Sequence, residues 1–591
     1  MIELIRDTVV GHFIRFVSRG KLLSYAEERD PELWRQYVHP EKAKHLADHG
    51  HIGEGEETKD QVGESSAQDQ SRRESSGQNQ SRRESRAPEQ NQSRRTSGTL
   101  HGSEHTTNAL GHPVDTEKGE NVILVDWYGG NDPENPMNWS LTKKILVTAE
   151  ICLLTFSIYI GSAIYTPGIE GVTKQFNVSQ EKATLGLTLF VAGYGLGPMV
   201  WAPLSEIPQI GRNPIYIGTL IVFVCFNLGV ALANNFAMLL AFRFFTGFFG
   251  SPVLATGGAS IGDIYTPRKR AYGIAIWGIA AVCGPVMGPL VGGFAAQYKG
   301  WQWTIWELMW LSGFALVVMI FFLPETSSSN ILYRRARRLR VLTGNESLKC
   351  EPELMGEGMT GKDIAMIALV RPITLNFTEP MVFLLNLYIA LIYGLLYVWF
   401  ESFPIVFEEI YGFSISLEGV TFVGILIGAI ITIPPFFLYL YKYTEPQFNE
   451  NGELKPEKRL PAAMFGAFFL PICLFWFGWS ARPHLTWVMP IIGSAFFSVG
   501  TLLLFNSVLN YLGDAYPDYA ASVLAGNDLM RSSFGAGFPL FANAMYTKLG
   551  VGWASSLLAF LSIVFIPIPF VLYKYGETLR KNHSKHARKD F

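Results

Sequence analysis

Long apolar segments separated by short polar connections run from residue 144 to residue 573. A helix needs about 20 mostly apolar residues to cross the roughly 30 Å hydrocarbon core of a bilayer. The apolar segments reach that length, so the pattern predicts an all-α membrane protein with twelve transmembrane helices. The predicted spans are residues 144–164, 183–203, 214–232, 237–258, 272–295, 302–323, 380–401, 417–440, 461–480, 486–508, 521–545 and 553–573.

Two polar stretches interrupt this pattern. Residues 50–120 are rich in Ser, Gln, Glu, Arg and Gly, and they carry too little apolar surface to fold, so we predict disorder there. Residues 327–379 divide the spans into six and six. The predicted organisation is a cytosolic N-terminal region at 1–120, a juxtamembrane segment at 121–143, a six-helix bundle at 144–326, a central cytosolic loop at 327–379, a second six-helix bundle at 380–575 and a cytosolic tail at 576–591.

Lysine and arginine are concentrated in alternate connections, which predicts the orientation in the membrane. With the N-terminus in the cytosol, Lys143, Arg212, Arg270 and the basic residues between 334 and 340 all fall on the cytosolic side. The opposite connections carry only Lys174, Lys182, Lys299, Arg482 and Lys548. We therefore predict that both termini are cytosolic.

The composition argues against a soluble protein and against a nucleic-acid-binding protein. Hydrophobic residues make up 49% of the chain and charged residues 17%, with a net charge of -2, so we expect a lipid bilayer and no nucleic acid as partner. The five cysteines are scattered without the spacing of a metal site or a disulfide framework. Residues 1–20 alternate apolar and basic groups, which fits either an amphipathic helix on a membrane surface or a short solvated helix.

Candidate modification sites lie outside the spans. Ser75, Ser85 and Ser97 each follow a pair of arginines, the pattern that a basophilic kinase recognises, although drift in a low-complexity linker gives the same pattern. Asn177 begins an Asn-Val-Ser sequence in the first predicted outer loop. It is a candidate glycan acceptor, and its closeness to the bilayer is the argument against that role.

The second predicted span ends in a glycine-rich stretch followed by a charged turn. Glycines four residues apart, Gly193 and Gly197, let helix backbones approach closely inside a membrane. The turn carries Glu206, Gly211 and Arg212. We expect this carboxylate and this arginine to latch neighbouring helices in one state of the protein.

An arginine, Arg243, lies within the fourth predicted span. Because a charged side chain at the centre of a bilayer costs roughly 2.5–3.5 kcal/mol, we expect it to face a cavity or a carboxylate. Snorkelling to the interface is the alternative. Since arginine keeps its proton, it would act by changing the pKa of a neighbouring acid, and Asp263 at the end of this span is a candidate partner or gate residue.

The fifth predicted span combines small residues with proline, which removes backbone donors and permits bending. No carboxylate lies among these residues, so their role is expected to be structural. They are Gly284, Pro285, Gly288, Pro289, Gly292 and Gly293.

Further polar groups lie in the second half. Glu401 ends the seventh span near Tyr393 and Tyr397, and a carboxylate beside an aromatic wall suits a cavity for flat or cationic molecules; an interfacial glutamate is the alternative. Asp528 and Arg531 are three residues apart and are expected to pair on one helix face.

These segments resemble the fungal drug:proton antiporter family of the major facilitator superfamily, in its twelve-span group, and most closely the benomyl- and fluconazole-resistance permeases. The resemblance covers nearly all of the chain except 50–120. Further matches are Tyr165-Thr-Pro-Gly168, Leu323-Pro-Glu-Thr326, Arg337-Arg-Leu-Arg340, Thr343-Gly-Asn345, the Arg6-Asp7 start, and Asn527 with Arg531. Departures are Glu206 in place of aspartate, Thr246 in place of glutamine and Gln302 in place of arginine.

The resemblance implies the major facilitator fold and proton-coupled export by alternating access, with no cofactor and a proton gradient as the driving force. It implies a role in proton coupling for Arg243. The expected substrates are hydrophobic or cationic organic molecules, and the substrate-cavity candidates are Tyr393, Tyr397, Glu401, Asn527 and Arg531. A polyamine or metabolite exporter and a nutrient uptake permease are the alternatives, and the plasma membrane is favoured over the vacuole.

Overall fold

The computed structural model describes residues 5–35, 106–107, 113–115, 122–356, 361–450 and 452–590. Ser75, Ser85, Ser97 and almost all of the region predicted to be disordered lie outside these residues. The chain divides into two compact units. The larger contains the described residues of Met1–Arg29, Val125–Arg338 and Lys349–Phe591, and the smaller those of Asp30–Leu124 and Leu339–Leu348.

The smaller unit is built on a sheet of four short strands. In sheet order they are Thr106–Thr107, Pro113–Asp115, Val122–Leu124 and Leu348–Lys349. The first three pair antiparallel. The Ile123 N–H donates to the Ser347 carbonyl oxygen at 3.0 Å. A one-turn helix, Glu32–Arg35, belongs to the same unit.

The first six spans of the larger unit follow the apolar pattern closely. Asparagine and serine caps begin several of them, as Ser140 and Ser179 do for the first two. A short helix, Ile169–Phe176, follows the first span. Numbered in chain order, spans 1 to 6 are Leu141–Ala163, Gln180–Glu206, Asn213–Ala231, Phe236–Gly250 continued by Pro252–Ile264, Pro267–Lys299 and Trp301–Phe322.

The second bundle has more interrupted helices. Spans 7 to 10 are Pro380–Phe400 with its wide-turn extension Pro404–Ile410, Ile415–Thr421 continued by Val423–Tyr439, Pro461–Gly466 continued by Phe469–Ser480, and Val488–Ala515. Span 11 is Ala520–Gly537, which continues as residues 539–549. Gly550, with φ of 72°, ends that helix, and span 12 follows in residues 551–565 and Pro567–Asn582.

Among the described residues, eleven helices are long and apolar enough to cross a membrane. The twelfth predicted span is span 11, whose helix Ala520–Gly537 contains the buried charged pair Asp528 and Arg531 and is therefore less apolar. Each half has its own apolar core: one is drawn mainly from spans 1 to 6 and the other mainly from spans 7 to 12. The predicted fold class is confirmed.

Glycines set the distance between spans 2 and 4. A Cβ atom at Gly193 would lie 2.2 Å from the Phe244 carbonyl oxygen, and one at Gly247 would lie 2.1 Å from the Phe190 carbonyl oxygen. The two backbones are therefore in direct contact. Since lipid is as apolar as a leucine side chain, such close packing supplies much of the attraction between spans.

The central stretch, predicted as a loop, is largely helical. Its main helix, Ser328–Thr343, is followed by Glu351–Gly356, Gly361–Ala365, the wide turn Met366–Val370 and Arg371–Thr378. The basic face of the main helix has acidic partners: Arg335 contacts Asp132 at 2.7 Å and Glu134 at 3.1 Å, all three buried. Burial opposes ionisation of Asp132, but the Arg335 guanidinium outweighs it and lowers the pKa of that carboxyl.

The N-terminal segment packs on the same helix. Arg338 contacts Glu27 at 2.5 Å and lies 3.5 Å from the centre of the Tyr25 ring. The predicted amphipathic helix is Val9–Val17, and its Phe13 and Phe16 side chains are exposed. His12 of this helix lies 2.6 Å from Arg334 of the central helix, so its polar face contacts protein while Phe13 and Phe16 stay uncovered.

We expect Gly193→Ala to destabilise the protein by about 1–3 kcal/mol, because the added methyl group overlaps a backbone atom that cannot move away. Gly218→Ala in span 3 is the matched control, since nothing lies within 4 Å of its new Cβ. Thermal unfolding in detergent measures both. Equal melting temperatures for the two variants would contradict the close-packing interpretation.

Arg335→Ala is expected to cost about 3–5 kcal/mol, because Asp132 and Glu134 would remain buried without their counter-ion. Arg337→Ala, two residues along the same helix and exposed, should change stability by less than about 0.5 kcal/mol. Limited proteolysis of the central stretch and thermal unfolding compare the variants. A mild effect of Arg335→Ala would show that water, rather than Arg335, satisfies the two carboxylates.

Candidate functional site

An ion pair lies in the middle of span 11. Arg531 Nε donates to Asp528 Oδ1 at 2.8 Å, as expected for residues one helical turn apart. Arg531 Nη2 also donates to the Tyr159 hydroxyl of span 1 at 2.9 Å. All three side chains are buried. The pair therefore joins the two halves of the protein, while Asp528 Oδ2 has no hydrogen-bond partner among the described residues.

A cluster of tyrosines extends this contact. The Tyr194 hydroxyl of span 2 lies 2.6 Å from the Tyr393 hydroxyl and 3.1 Å from the Tyr397 hydroxyl, both on span 7. Tyr397 donates to the Ser162 hydroxyl of span 1 at 3.0 Å. These hydroxyls are buried. They form a second polar bridge between the halves, one that carries no net charge.

An apolar cavity of about 70 Å³, here called the central cavity, adjoins the ion pair. Spans 5, 7 and 10 supply most of its walls, with Arg531 as the only charged group among its lining residues in the described chain. Its aromatic residues are Tyr159, Trp277, Tyr393, Phe400, Phe497 and Phe505. Apolar walls with a few polar groups are typical of sites that bind organic molecules, but sites for drug-sized molecules have volumes of about 300–1,000 Å³, so the central cavity must widen to accept one.

A larger cavity of about 390 Å³, here called the polar cavity, begins at the same ion pair. It extends past Asn527 to the turn that holds Glu206 and Arg212. The two cavities share Ile274, Trp277, Leu509 and Arg531. They are therefore adjacent, one in the apolar centre of the bundle and the other reaching its charged end.

The five predicted cavity residues are divided among four places. Tyr393 and Arg531 line the central cavity, and Asn527 lines the polar cavity. Tyr397 lies in the hydroxyl network. Glu401 does not line the central cavity: it lies just past the end of the helix at Phe400 and lines a separate chamber with Phe400 and Phe422.

Arg243 is completely buried between the rings of Tyr165 and Phe190, 4.7 Å and 4.4 Å from their centres. Its Nε donates to the Gly186 carbonyl at 2.9 Å and its Nη1 to the Gly161 carbonyl at 3.0 Å. Within the described residues it has no carboxylate partner, and Nη2 has no acceptor. The expected cavity or carboxylate is therefore replaced by carbonyl oxygens and aromatic faces.

Asp263 does not contact Arg243, so of the two roles expected for it, partner of that arginine or gate residue, the partner role is wrong. It accepts from Arg212 Nε at 2.8 Å instead. Glu206 forms no ion pair among the described residues and lines the polar cavity, so the expected Glu206–Arg212 latch is corrected to an Arg212–Asp263 latch. The reason is that the turn carries Arg212 across to the end of span 4.

Glu325 completes this latch. Its carboxylate accepts from the Arg212 and Asn213 amides at 3.1 Å and 3.2 Å, where Gly211 with φ of 78° turns the chain toward span 3.

The second half repeats the latch, because Arg459 Nε donates to Asp514 Oδ2 at 2.8 Å. Each half thus closes its charged end with an arginine from one connection and an aspartate at a helix end.

The glycine-proline helix, span 5, lies between the two halves. A Cβ at Gly288 would meet the Ile164 amide nitrogen of span 1 at 2.7 Å, and one at Gly293 would meet the Ile415 carbonyl of span 8 at 2.8 Å. From the other side, a Cβ at Gly419 would lie 2.3 Å from the Pro289 carbonyl. The predicted antiporter motif therefore forms a backbone-to-backbone contact between the bundles.

Sequence reasoning missed three residues of this arrangement. Tyr159 and Tyr194 carry no recognisable motif, and only the packing of spans 1 and 2 brings them to the ion pair and to span 7. Glu325 belongs to the Leu323-Pro-Glu-Thr326 motif, so the sequence did contain a signal for this residue. Asn177, the candidate glycan acceptor, is exposed at the end of Ile169–Phe176 in the left-handed conformation, with φ of 51°.

Residues 151–539 match the family described as Major Facilitator Superfamily. The chain belongs to the major facilitator superfamily. Over 474 residues it is 47% identical to Transporter mfs1 of Schizosaccharomyces pombe, covering 79% of this chain and 89% of that protein. It is also similar to Fluconazole resistance protein 1 of Saccharomyces cerevisiae (41% identity, 82% and 88% covered) and to the Cycloheximide resistance protein of Candida maltosa (41%, 80% and 88%).

A solved structure, that of the human organic anion transporter MFSD10, matches with a TM-score of 0.48 and 16% identity over 74% of this chain and 99% of that one. Among the relatives, resistance transporters of fungi recur. The chain is therefore a multi-pass membrane transporter of the superfamily that resembles fungal multidrug-resistance transporters.

Arg531→Met should destabilise the protein by about 3–5 kcal/mol, because Asp528 would be left buried without a counter-ion. The double variant Arg531→Met/Asp528→Leu should recover most of that loss, since a buried ion pair replaced by apolar groups is often neutral. Thermal unfolding in detergent measures both. No recovery in the double variant would mean that the hydrogen bond to Tyr159, rather than the charge pair, carries the stability.

Proposed function

We propose that the protein is a proton-coupled efflux transporter that exports drugs or toxic amphipathic organic compounds by alternating access. The observation that carries this proposal is the apolar, aromatic central cavity beside the Arg531–Asp528 pair, in a chain 41% identical to proteins named for fluconazole and cycloheximide resistance. Aromatic walls bind flat organic molecules of many kinds, because stacking and apolar contact demand little chemical identity.

Contacts between the halves support alternating access. At the charged end, Lys269 of span 5 contacts Glu445 at 2.8 Å, and Asn506 of span 10 donates to the Ala271 carbonyl at 3.2 Å. At the opposite end, the Ser416 amide donates to Gln297 Oε1 at 2.9 Å. Each set can separate while the other holds, which is what rocking of two bundles about a central site requires.

Arg243 is the proposed coupling residue. It keeps its charge in a fully buried position. Its hydrogen bond to the Gly161 carbonyl places it beside Ser162, whose hydroxyl accepts a hydrogen bond from the Tyr397 hydroxyl of the other half. A permanent positive charge here repels a proton on any nearby acid and attracts the ionised form. Movement of the halves therefore changes the field that a protonatable group experiences.

Arg243→Ala is expected to abolish proton-dependent efflux while leaving the protein at the cell surface, because the fixed charge that biases protonation is lost. Efflux of a fluorescent organic cation, with and without a protonophore, measures the effect in cells that lack their own exporters. Arg482→Ala, an exposed arginine in the connection between spans 9 and 10, is the control and should transport normally. Preserved efflux in Arg243→Ala would remove this residue from the coupling mechanism.

Substrate class is tested by a transport panel of azoles, benzimidazoles and polyamines, again with and without a protonophore. Export of azoles or benzimidazoles that collapses with the proton gradient is the expected result. Export of polyamines alone would assign the protein to polyamine transport, and inward flux of sugars would assign it to nutrient uptake. We place the protein in the plasma membrane with both termini in the cytosol, and fluorescent tagging separates this location from the vacuole.

A further inference from the structure

Five carboxylates line a chamber at the end of the bundle opposite the Glu206–Arg212 turn. The chamber has a volume of about 280 Å³ and contains no basic side chain among its lining residues in the part of the chain that the structure describes. We call it the glutamate chamber. Its acidic members are Glu170, Glu401, Glu408, Glu409 and Glu418.

Glu418 differs from the other four. Its side chain is only 4% exposed, yet it lines the chamber and has no hydrogen bond or ion pair with any described residue. It lies in the first turn of Ile415–Thr421, where the helix dipole weakly favours an anion. Burying an unpaired carboxylate costs far more than the dipole contributes, so the dipole alone does not hold the charge there.

The charges facing Glu418 from its neighbours increase that cost. Span 7 and its extension present Glu401 and Glu408, and Glu409 is exposed beside them. The segment after span 1 presents Glu170, which is already paired with Lys174 at 2.6 Å. Span 2 contributes Gln180 and span 5 contributes Pro289, neither of which can ionise. A buried Glu418 in these surroundings is stable with a bound cation, and the smallest is a proton.

The position of Glu418 links that proton to movement of the halves. Its helix turn is the part of span 8 that contacts span 5, through Gly419 against Pro289 and through the Ser416 amide on Gln297. If this contact opens, Glu418 becomes solvated and can ionise. If the contact closes, the carboxylate is desolvated, and its neutral form is favoured over its ionised form.

We propose that Glu418 is a proton-binding site whose protonation from the external solution closes the bundle at the glutamate-chamber end. The carboxylate oxygen accepts a proton from a hydronium ion, an O–H bond forms, and a water molecule is released. Loss of the proton reverses the step and favours opening. This inference rests on the proposed function, which places the chamber on the outside and a proton gradient across the membrane.

The test measures opening directly, without substrate. Spin labels are attached at Lys182→Cys and His484→Cys, two exposed positions at this end that lie in different halves. Double electron–electron resonance in nanodiscs then measures the distance between the labels, which reports the separation of the bundles. The five native cysteines are first replaced, and retained efflux shows that this background is functional. Spectra are recorded from pH 8 to pH 5.

The ratio of closed to open populations should rise with falling pH, by up to about tenfold per pH unit where one proton is taken up on closing. Glu418→Gln, a neutral group of the same shape, should be closed at every pH, and Glu418→Asp should keep the pH dependence. Glu401→Gln and Glu408→Gln should move the transition to lower pH while keeping its steepness. Glu181→Gln, exposed at the start of span 2, is the control and should match the parent protein.

Unchanged pH dependence in Glu418→Gln would overturn the proposal. So would closure that depends on added spermidine rather than on pH, which would make the chamber a site for organic cations. Failure of the proposed function is a separate result: it would appear as efflux by the parent protein that does not respond to the proton gradient, whatever the spin-label distances show.

Discussion

Polar groups inside the membrane-spanning bundle must be satisfied by the protein itself, because lipid offers neither hydrogen bonds nor counter-ions. Three buried groups meet this constraint differently. Arg531 has both Asp528 and the Tyr159 hydroxyl, whereas Arg243 has two carbonyl oxygens and two aromatic faces. The buried Glu418 carboxylate has no hydrogen-bond or ion-pair partner among the described residues, and this is why a proton is the simplest group that can complete it.

The same constraint explains how the two halves are joined. The halves meet in hydrogen bonds, such as those of the tyrosine hydroxyls around Tyr194, and in close backbone contacts, such as the glycine contacts of span 5. The apolar core of each half, in contrast, is drawn mainly from its own six spans. The bundles are therefore suited to move as rigid bodies around the central cavity.

Three expected neighbours do not meet, for one reason. Asp263 was a candidate partner of Arg243, Glu206 was expected to pair with Arg212, and Glu401 was a candidate for the cavity of Tyr393, each because the residues are near one another in sequence or on one helix. In the folded protein a partner comes from whichever helix end is nearest, so Arg212 binds Asp263 and its backbone binds Glu325. The orientation of the termini and the roles of the site residues stay predictions.

The sequence by itself determined the spans, the division into two bundles and the close packing at Gly193 and span 5. Those features depend on apolar length and on residue size, which are local properties of the chain. Only the tertiary structure decided that Tyr159 and Tyr194 belong to the site, that Arg243 has no carboxylate, and that Glu418 is buried against the other half. These depend on which faces of distant helices meet, and apolar helices in a membrane leave little pattern that tells those faces apart.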